Sequence, residues 1–387
     1  MSDATDLTNE ALIAIRRHLH AHPELSLKEF ETKAYLKGVI QAFDQTHISY
    51  REVESVPTAL LVRIAGSAPQ RTIGYRTDID ALPVTEATDL SFQSQNSGIM
   101  HACGHDMHMT VALGILNHFA NHQPKDNLVF LFQPAEENFS GGERVYKSGA
   151  LSDEFLPEEI YGLHDNPELA SGVIATRLGT LFAGTTEIHV TFTGEGGHAA
   201  FPHRANDAII AASAFVMQVQ TIVSRRVDPI KGGVVTLGTF TAGTIGNVIA
   251  ETAHIDGTIR GLQQDTIELI QGQVRQIAKG IGVTYGVTVD LELRQDGYLP
   301  VENNPDLTQQ FITYMTQNEN VDFQIVGPAM TGEDFGYLLS KIPGTMFWLG
   351  VESPYALHSS HLAPKETALE KGVQAMTGFL EWRMQQD

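Results

Sequence analysis

What the 387-residue chain lacks narrows it first. It has a single cysteine, Cys103, which excludes an internal disulfide framework and fits a reducing compartment. Its opening residues, Met1-Ser2-Asp3-Ala4-Thr5-Asp6, are acidic and carry neither the basic nor the apolar region of a signal peptide. No apolar run reads as membrane-spanning, so the expectation is a soluble, cytoplasmic protein with no membrane partner. Cations are scarce: 25 Lys and Arg against 46 Asp and Glu give a formal net charge of -21. That balance argues against nucleic acid as a partner, because phosphates would be repelled.

Several catalytic signatures are incomplete. Gly194-Glu195-Gly196-Gly197 lacks the Lys-Ser/Thr ending of a phosphate loop. His101 and His105 are four apart, but no glutamate follows His101, so the zincin helix motif is missing. Asp334-Phe335-Gly336 has no His-Arg-Asp catalytic loop to accompany it. Internal repeats and low-complexity tracts are absent as well.

What is present centres on Met100-His101-Ala102-Cys103-Gly104-His105-Asp106-Met107-His108, which gathers the only cysteine and three of the sixteen histidines. A thiolate and imidazoles at this density suit a borderline cation such as zinc. Cys103 and His105, two apart on extended chain, would point to one side. As a nucleophile beside a histidine, Cys103 would instead suggest a cysteine hydrolase; surrounding carboxylates favour metal. Asp106 is placed to cap a following helix, with Met107, Val111, Ile115 and Phe119 on one face.

Read in order, the chain predicts helices over 8–22 and 28–43, then buried-type strands at 59–64, 72–75, 128–132 and 159–163. Asp78 and Asp80, Glu136 and Glu137, and His164 each follow such a strand, the position where open α/β sheets build sites. Near residue 180 the pattern turns to β-α-β-β-α-β, a ferredoxin-like unit. The expected domains are 1–180 with 295–387, and an inserted 181–294. His18, His20 and His22 fall on the first helix and read as structural. The candidate metal and acid–base set is Cys103, His105, Asp78 or Asp80, Glu136 or Glu137, His164 and His358; of two adjacent glutamates, one can ligate while the other accepts a proton from water.

The motifs Arg76-Thr77-Asp78-Ile79-Asp80-Ala81-Leu82-Pro83, Met100 to Asp106 and Gln133-Pro134-Ala135-Glu136-Glu137 resemble the M20 metallopeptidase clan, and within it the amidohydrolase branch that uses a cysteine as a ligand. Gly197-His198-Ala199-Ala200-Phe201-Pro202-His203, Asn247-Val248-Ile249-Ala250 and Gly257-Thr258-Ile259-Arg260 are similar to that branch's inserted domain. The resemblance implies a zinc-peptidase-like α/β catalytic domain with a mixed, largely parallel sheet and an inserted ferredoxin-like α+β domain. It implies one or two divalent ions (zinc, cobalt, nickel or manganese) on Cys103, His105, Glu137, His164 and His358. Asp78 matches the active-site aspartate, with Asp80 as the alternative. Glu136 and Glu137 form the catalytic pair, the base being either one. His198 would reach the oxyanion, Arg260 a substrate carboxylate, and Asn247 joins them as a substrate-binding residue. The substrate implied is a small N-acetylated amino acid; passages 182–203, 220–260 and 329–350 are most similar to the deacetylases of N-acetyl-LL-2,6-diaminopimelate. Hippurate or other N-acyl-amino-acid hydrolysis, carboxypeptidase action and a non-catalytic ligand-binding relative stay open. A homodimer through the inserted domain is a further expectation.

Overall fold

The computed structural model describes residues 6–386. The chain divides into two compact units, one running to Leu181, taking in Glu302–Gly327 and resuming at Tyr337, the other made of Phe182–Val301 with Pro328–Gly336. The short return segment differs from the expected boundary. Its Ala329 bridges Phe182 in parallel and its carbonyl accepts the Ala183 N–H at 3.0 Å, so backbone pairing ties it to the second unit.

The first unit opens with α1 (Asn9–Ala21) and α2 (Phe30–Gln41). Thr8 caps α1 by accepting the Ala11 N–H, and Leu12, Ile15 and Leu19 form its buried stripe. Strands β1 (Ile48–Glu52), β2 (Leu60–Ile64) and β3 (Thr72–Asp78) lead to helix α3 (His105–Asn121). Then come β4 (Asn127–Gln133), α4 (Gly141–Lys147), β5 (Glu159–Asn166), β6 (Ile174–Thr176) and β7 (Gly179–Phe182).

The second unit holds β8 (Gly184–Thr193), β9 (Gly197–His198), α5 (Ala208–Arg225), β10 (Val234–Ala242), β11 (Val248–Ile249), β12 (Thr252–Gly261), α6 (Gln264–Tyr285) and β13 (Thr288–Arg294). Its four-stranded antiparallel sheet has the order β10-β12-β8-β13. β8 alternates buried and solvent-facing residues, because α5 and α6 cover one face only. Contrary to the sequence reading, α5 is long and apolar enough to cross a membrane by length and composition. Its apolar character has another use here: Ala208, Ala211, Ala212, Phe215, Val219 and Ile222 form the stripe packed in this unit's core.

After β14 (Val301–Asn303) the chain adds α7 (Pro305–Gln317), β15 (Phe323–Ile325), α8 (Phe335–Leu339), β16 (Gly344–Gly350) and α9 (Thr367–Arg383). The first unit's sheet has the order β1-β2-β4-β3-β5-β16-β6-β15. Its central strands β4, β3, β5 and β16 run parallel to one another, while β1–β2, β2–β4 and β16–β6 are antiparallel pairs. β3 and β16 are buried at every position, as strands covered on both faces must be. α3 is buried along almost its whole length in the same core. The parallel strands therefore deliver their carboxyl ends to one edge, and the candidate residues gather there.

Candidate metal centre

At that edge Gly104 sets the geometry. It is the N-cap of α3 with φ +77°, a left-handed conformation suited to glycine. A Cβ there would collide with the Asp165 carboxylate. The stretch is thus not the extended chain that the sequence suggested; a left-handed turn places Cys103 before the helix and His105 as its first residue. Donor atoms of Cys103, His105 and His164 lie within 4.8 Å of one another, as do those of Cys103, Glu137 and His358. Cys103 Sγ is 3.6 Å from His164 Nε2. His164 belongs to β5 itself rather than to the turn after it, paired opposite Trp348.

Two histidines are locked by their outer nitrogens. His105 Nδ1 donates to the Asp80 carbonyl and His164 Nδ1 to the Asp165 carbonyl, each at 2.9 Å. Each Nε2 is left pointing into the cluster, the second-layer pattern that orients metal-binding imidazoles. His105 Nε2 is buried without a hydrogen-bond partner, and so is Glu137 Oε1. That Glu137 oxygen is 3.9 Å from His105 Nε2 and 3.5 Å from His358 Nε2. Glu136 Oε2 stands 4.0 Å from His105 Nε2 on the same side. His358 comes from the loop after β16, at φ +65°, its N–H donating to Ala102 O at 2.7 Å.

The two aspartates of the Asp78-Ile79-Asp80 run have different occupations. Asp80 accepts the Glu136 and Glu137 N–H groups at 3.1 Å each and the Ser26 hydroxyl at 2.7 Å. Its carboxylate holds the Glu-Glu turn in place. Asp78, the last residue of β3, meets His108 Nδ1 at 2.6 Å and Arg76 Nη1 at 2.8 Å, with His105 Nε2 at 3.7 Å. Sequence reasoning missed Glu29, which shares the clamping role: it accepts the Ala135 and Leu27 N–H groups at 2.9 Å. Ala135 needs such anchoring because it sits at φ +58°. A buried acceptor for a strained turn is visible only once the fold brings residues 29 and 135 together.

Asp106 is not the helix cap. It is the second residue of α3, fully buried, accepting from Arg16 Nε at 2.7 Å and meeting His20 Nδ1 at 3.0 Å. His20 Nε2 continues to Glu86 Oε1 at 3.2 Å. This network braces the first turn of α3 from behind. His108 bridges Asp78 and Asp165, whose carboxylates outweigh burial and bring its pKa up to about 9. When the ring is neutral, the Asp165 N–H at 2.8 Å donates to His108 Nε2 and selects the tautomer protonated on Nδ1. His101 is buried with neither ring nitrogen hydrogen-bonded, and burial draws its pKa down to about 4.

The donor set fits a divalent cation. Burial raises the Cys103 thiol pKa well above its ordinary range, and the Glu137, Glu136, Asp165 and Asp78 carboxylates raise it further. Burial would lower His105, yet Asp78, Asp80 and Glu137 hold it well above its ordinary value. The carboxylates contribute to both shifts, and a dication bound there would offset their negative charge and release those protons. Cys103, His105, Glu137, His164 and His358 can hold it, and Asp78 stands beside them, 3.7 Å from His105 Nε2.

In the second unit, His198 and Asn247 share one ribbon: His198 pairs with Val248, and the Ala199 N–H donates to Asn247 O at 3.1 Å. Arg260, near the end of β12, donates from Nη1 to Thr185 Oγ1 at 2.6 Å. Burial lowers its pKa from the ordinary value.

Proteins similar to this chain along nearly its whole length are known. N-acetyldiaminopimelate deacetylase of Limosilactobacillus fermentum is 59% identical over 98% of this chain and 99% of its own. The protein of that name from Lactiplantibacillus plantarum is 56% identical over 96% and 97%. A crystal structure from Bacillus subtilis, described as a dinuclear metal binding peptidase from the M20 family, superposes with a TM-score of 0.84 at 28% identity, covering 98% of this chain and 99% of that one. The model of peptidase family M20/M25/M40 matches residues 74–382, and this chain belongs to that family.

Proposed function

We propose that the chain is a metal-dependent amide hydrolase that removes acetyl from N-acetyl-LL-2,6-diaminopimelate, giving LL-2,6-diaminopimelate and acetate. The observation that carries the chemistry is the convergence of Cys103, His105, His164, Glu137 and His358 beside a second carboxylate, Glu136. The substrate follows from the full-length similarity to deacetylases of that name. The step belongs to the acetylase branch of diaminopimelate and lysine biosynthesis.

A bound divalent cation supplies Lewis acidity toward the acetyl carbonyl and lowers the pKa of water. The protein residues supply the rest. Glu137 faces both His105 and His358 and is assigned as a ligand, which leaves Glu136 to take the proton of the attacking water and return it to the departing amine. Asp80 and Glu29 keep that pair in register by holding the backbone of residues 135–137. Asp78 fixes His108. His198, Asn247 and Arg260 are assigned to substrate on the family resemblance, Arg260 as a fork of donors for a carboxylate. Zinc, cobalt, nickel and manganese are compatible with this mixed donor set. A cytoplasmic location, supported by the lone cysteine, and a homodimer through the second unit complete the reading. Exposed Ile210, Met217, Phe240 and Val248 provide apolar surface there.

The test is a substrate panel with metal-loaded protein. Acetate release from N-acetyl-LL-diaminopimelate should exceed turnover of N-acetyl-lysine and of hippurate. Equal or faster turnover of hippurate removes the specific assignment while leaving an amide hydrolase.

A further inference from the structure

The far end of α3 carries a second histidine cluster that the hydrolytic chemistry does not use. His118, in the last turn of α3, and His122, the C-cap that follows the helix, have ring centroids 4.6 Å apart. Asp6 lies between them, its Oδ2 2.7 Å from His118 Nδ1 and its Oδ1 3.5 Å from His122 Nε2. Donor atoms of all three fall within 4.8 Å of one another. We propose that Asp6, His118 and His122 form a surface site for a borderline divalent cation such as zinc or nickel, separate from the Cys103 cluster by roughly 20 Å of helix.

Two further features support a metal over an ordinary ion-pair patch. Glu381, on α9, meets the other ring nitrogen of His118, Nε2, at 3.0 Å. A carboxylate on the outer nitrogen is the arrangement that fixes the tautomer and ring orientation of metal-binding histidines. Second, the cluster is built rather than incidental. The Leu7 N–H donates to Asn117 Oδ1 at 2.8 Å and Asn121 Nδ2 to Asp6 Oδ1 at 3.3 Å, which hold the Asp6 carboxylate against the last turn of α3. That turn is the negative end of the helix dipole, where positive charge is favoured. When both imidazoles are neutral, Asp6 and Glu381 leave two negative charges, which one dication cancels. Imidazole with carboxylate suits zinc, nickel or cobalt and disfavours magnesium. Such an ion would staple the segment at Asp6 onto α3 and α9.

The experiment uses the full chain with its Cys103 cluster loaded. Nickel is titrated at pH 7.5 by calorimetry into wild type, His122→Gln and the His118→Ala/His122→Ala pair. Wild type should bind one equivalent beyond the loaded centre, and added nickel should raise its Tm. His122→Gln should bind that equivalent at least tenfold more weakly, and the double variant should lose both the equivalent and the Tm response. Acetate release should be unchanged in all three. His122 is 57% exposed, so its replacement carries little folding risk. Absence of an extra equivalent in wild type overturns the proposal, as does an extra equivalent that persists in His122→Gln with unchanged affinity.

Discussion

Replacing Glu29 with glutamine separates the clamp on the Glu-Glu turn from the charge that burial imposes on it. Burial, with the Asp80 carboxylate adding to it, raises the Glu29 pKa from an ordinary 4.5 to about 7. For a carboxyl raised in this way, the folded state holds its proton across a window in which the unfolded state has released it. Glu29 therefore costs nothing below pH 4.5, costs progressively more as pH rises toward 7, and carries the full penalty above it. A shift of this size corresponds to about 3 kcal/mol. Glutamine cannot ionise, and its Oε1 can accept from the same Leu27 and Ala135 N–H groups. Its amide nitrogen would occupy the place of the buried Glu29 Oε2, with the Thr58 hydroxyl as the side-chain group nearby. Any hydrogen bonding lost there costs about 1–3 kcal/mol and does not vary with pH. The stability difference between Glu29→Gln and wild type should therefore swing by about 3 kcal/mol in favour of the variant between pH 4.5 and 8. Urea unfolding followed by circular dichroism at pH 4.5, 6 and 8 measures it, at matched metal content so that other titrations cancel in the difference. A difference that stays constant with pH would refute the reasoning, because Glu29 would then be ionised or protonated equally in both states.

Glu136→Gln should reduce acetate release by at least about 100-fold, the range of a lost general base, with metal content near wild type by mass spectrometry of the native protein. Loss of metal instead would exchange the roles assigned to Glu136 and Glu137. Gly104→Ala forces a Cβ into the Asp165 carboxylate at a left-handed position. It should lower stability by about 1–3 kcal/mol and reduce bound metal, as thermal denaturation and metal analysis would show; an unchanged Tm would mean that the turn relaxes freely.

Donor chemistry was the legible part of this site. Cys103, His105, His164, Glu137 and His358 are residue types that bind borderline cations, and the fold brings their donor atoms together in two groups that share Cys103. The parallel strands were equally readable, because β3, β4 and β16 are short apolar runs ending in polar turns. Pairing between distant residues was not readable. Asp78 and Asp80 share a side of the strand, and only the Glu136 and Glu137 N–H groups reveal that Asp80 is a clamp. Asp106 looks like a helix cap until Arg16 and His20 arrive from a helix 86 to 90 residues earlier. Glu29 looks like any solvated glutamate before a helix. Its burial depends on a turn more than 100 residues downstream.

The loop origin of His358 has a kinetic meaning. The other proposed ligands are rooted in a core strand, a buried helix turn or a carboxylate-clamped loop, whereas the His358 side chain is 56% exposed. Ligand exchange proceeds most readily through the donor that can swing away without disturbing anything else. An ion held there could then be traded with the surroundings through the opening of one imidazole while the sheet stays folded. The rate of ion turnover and the stability of the fold become independently adjustable, the first through residues around His358 and the second through the strands beneath it.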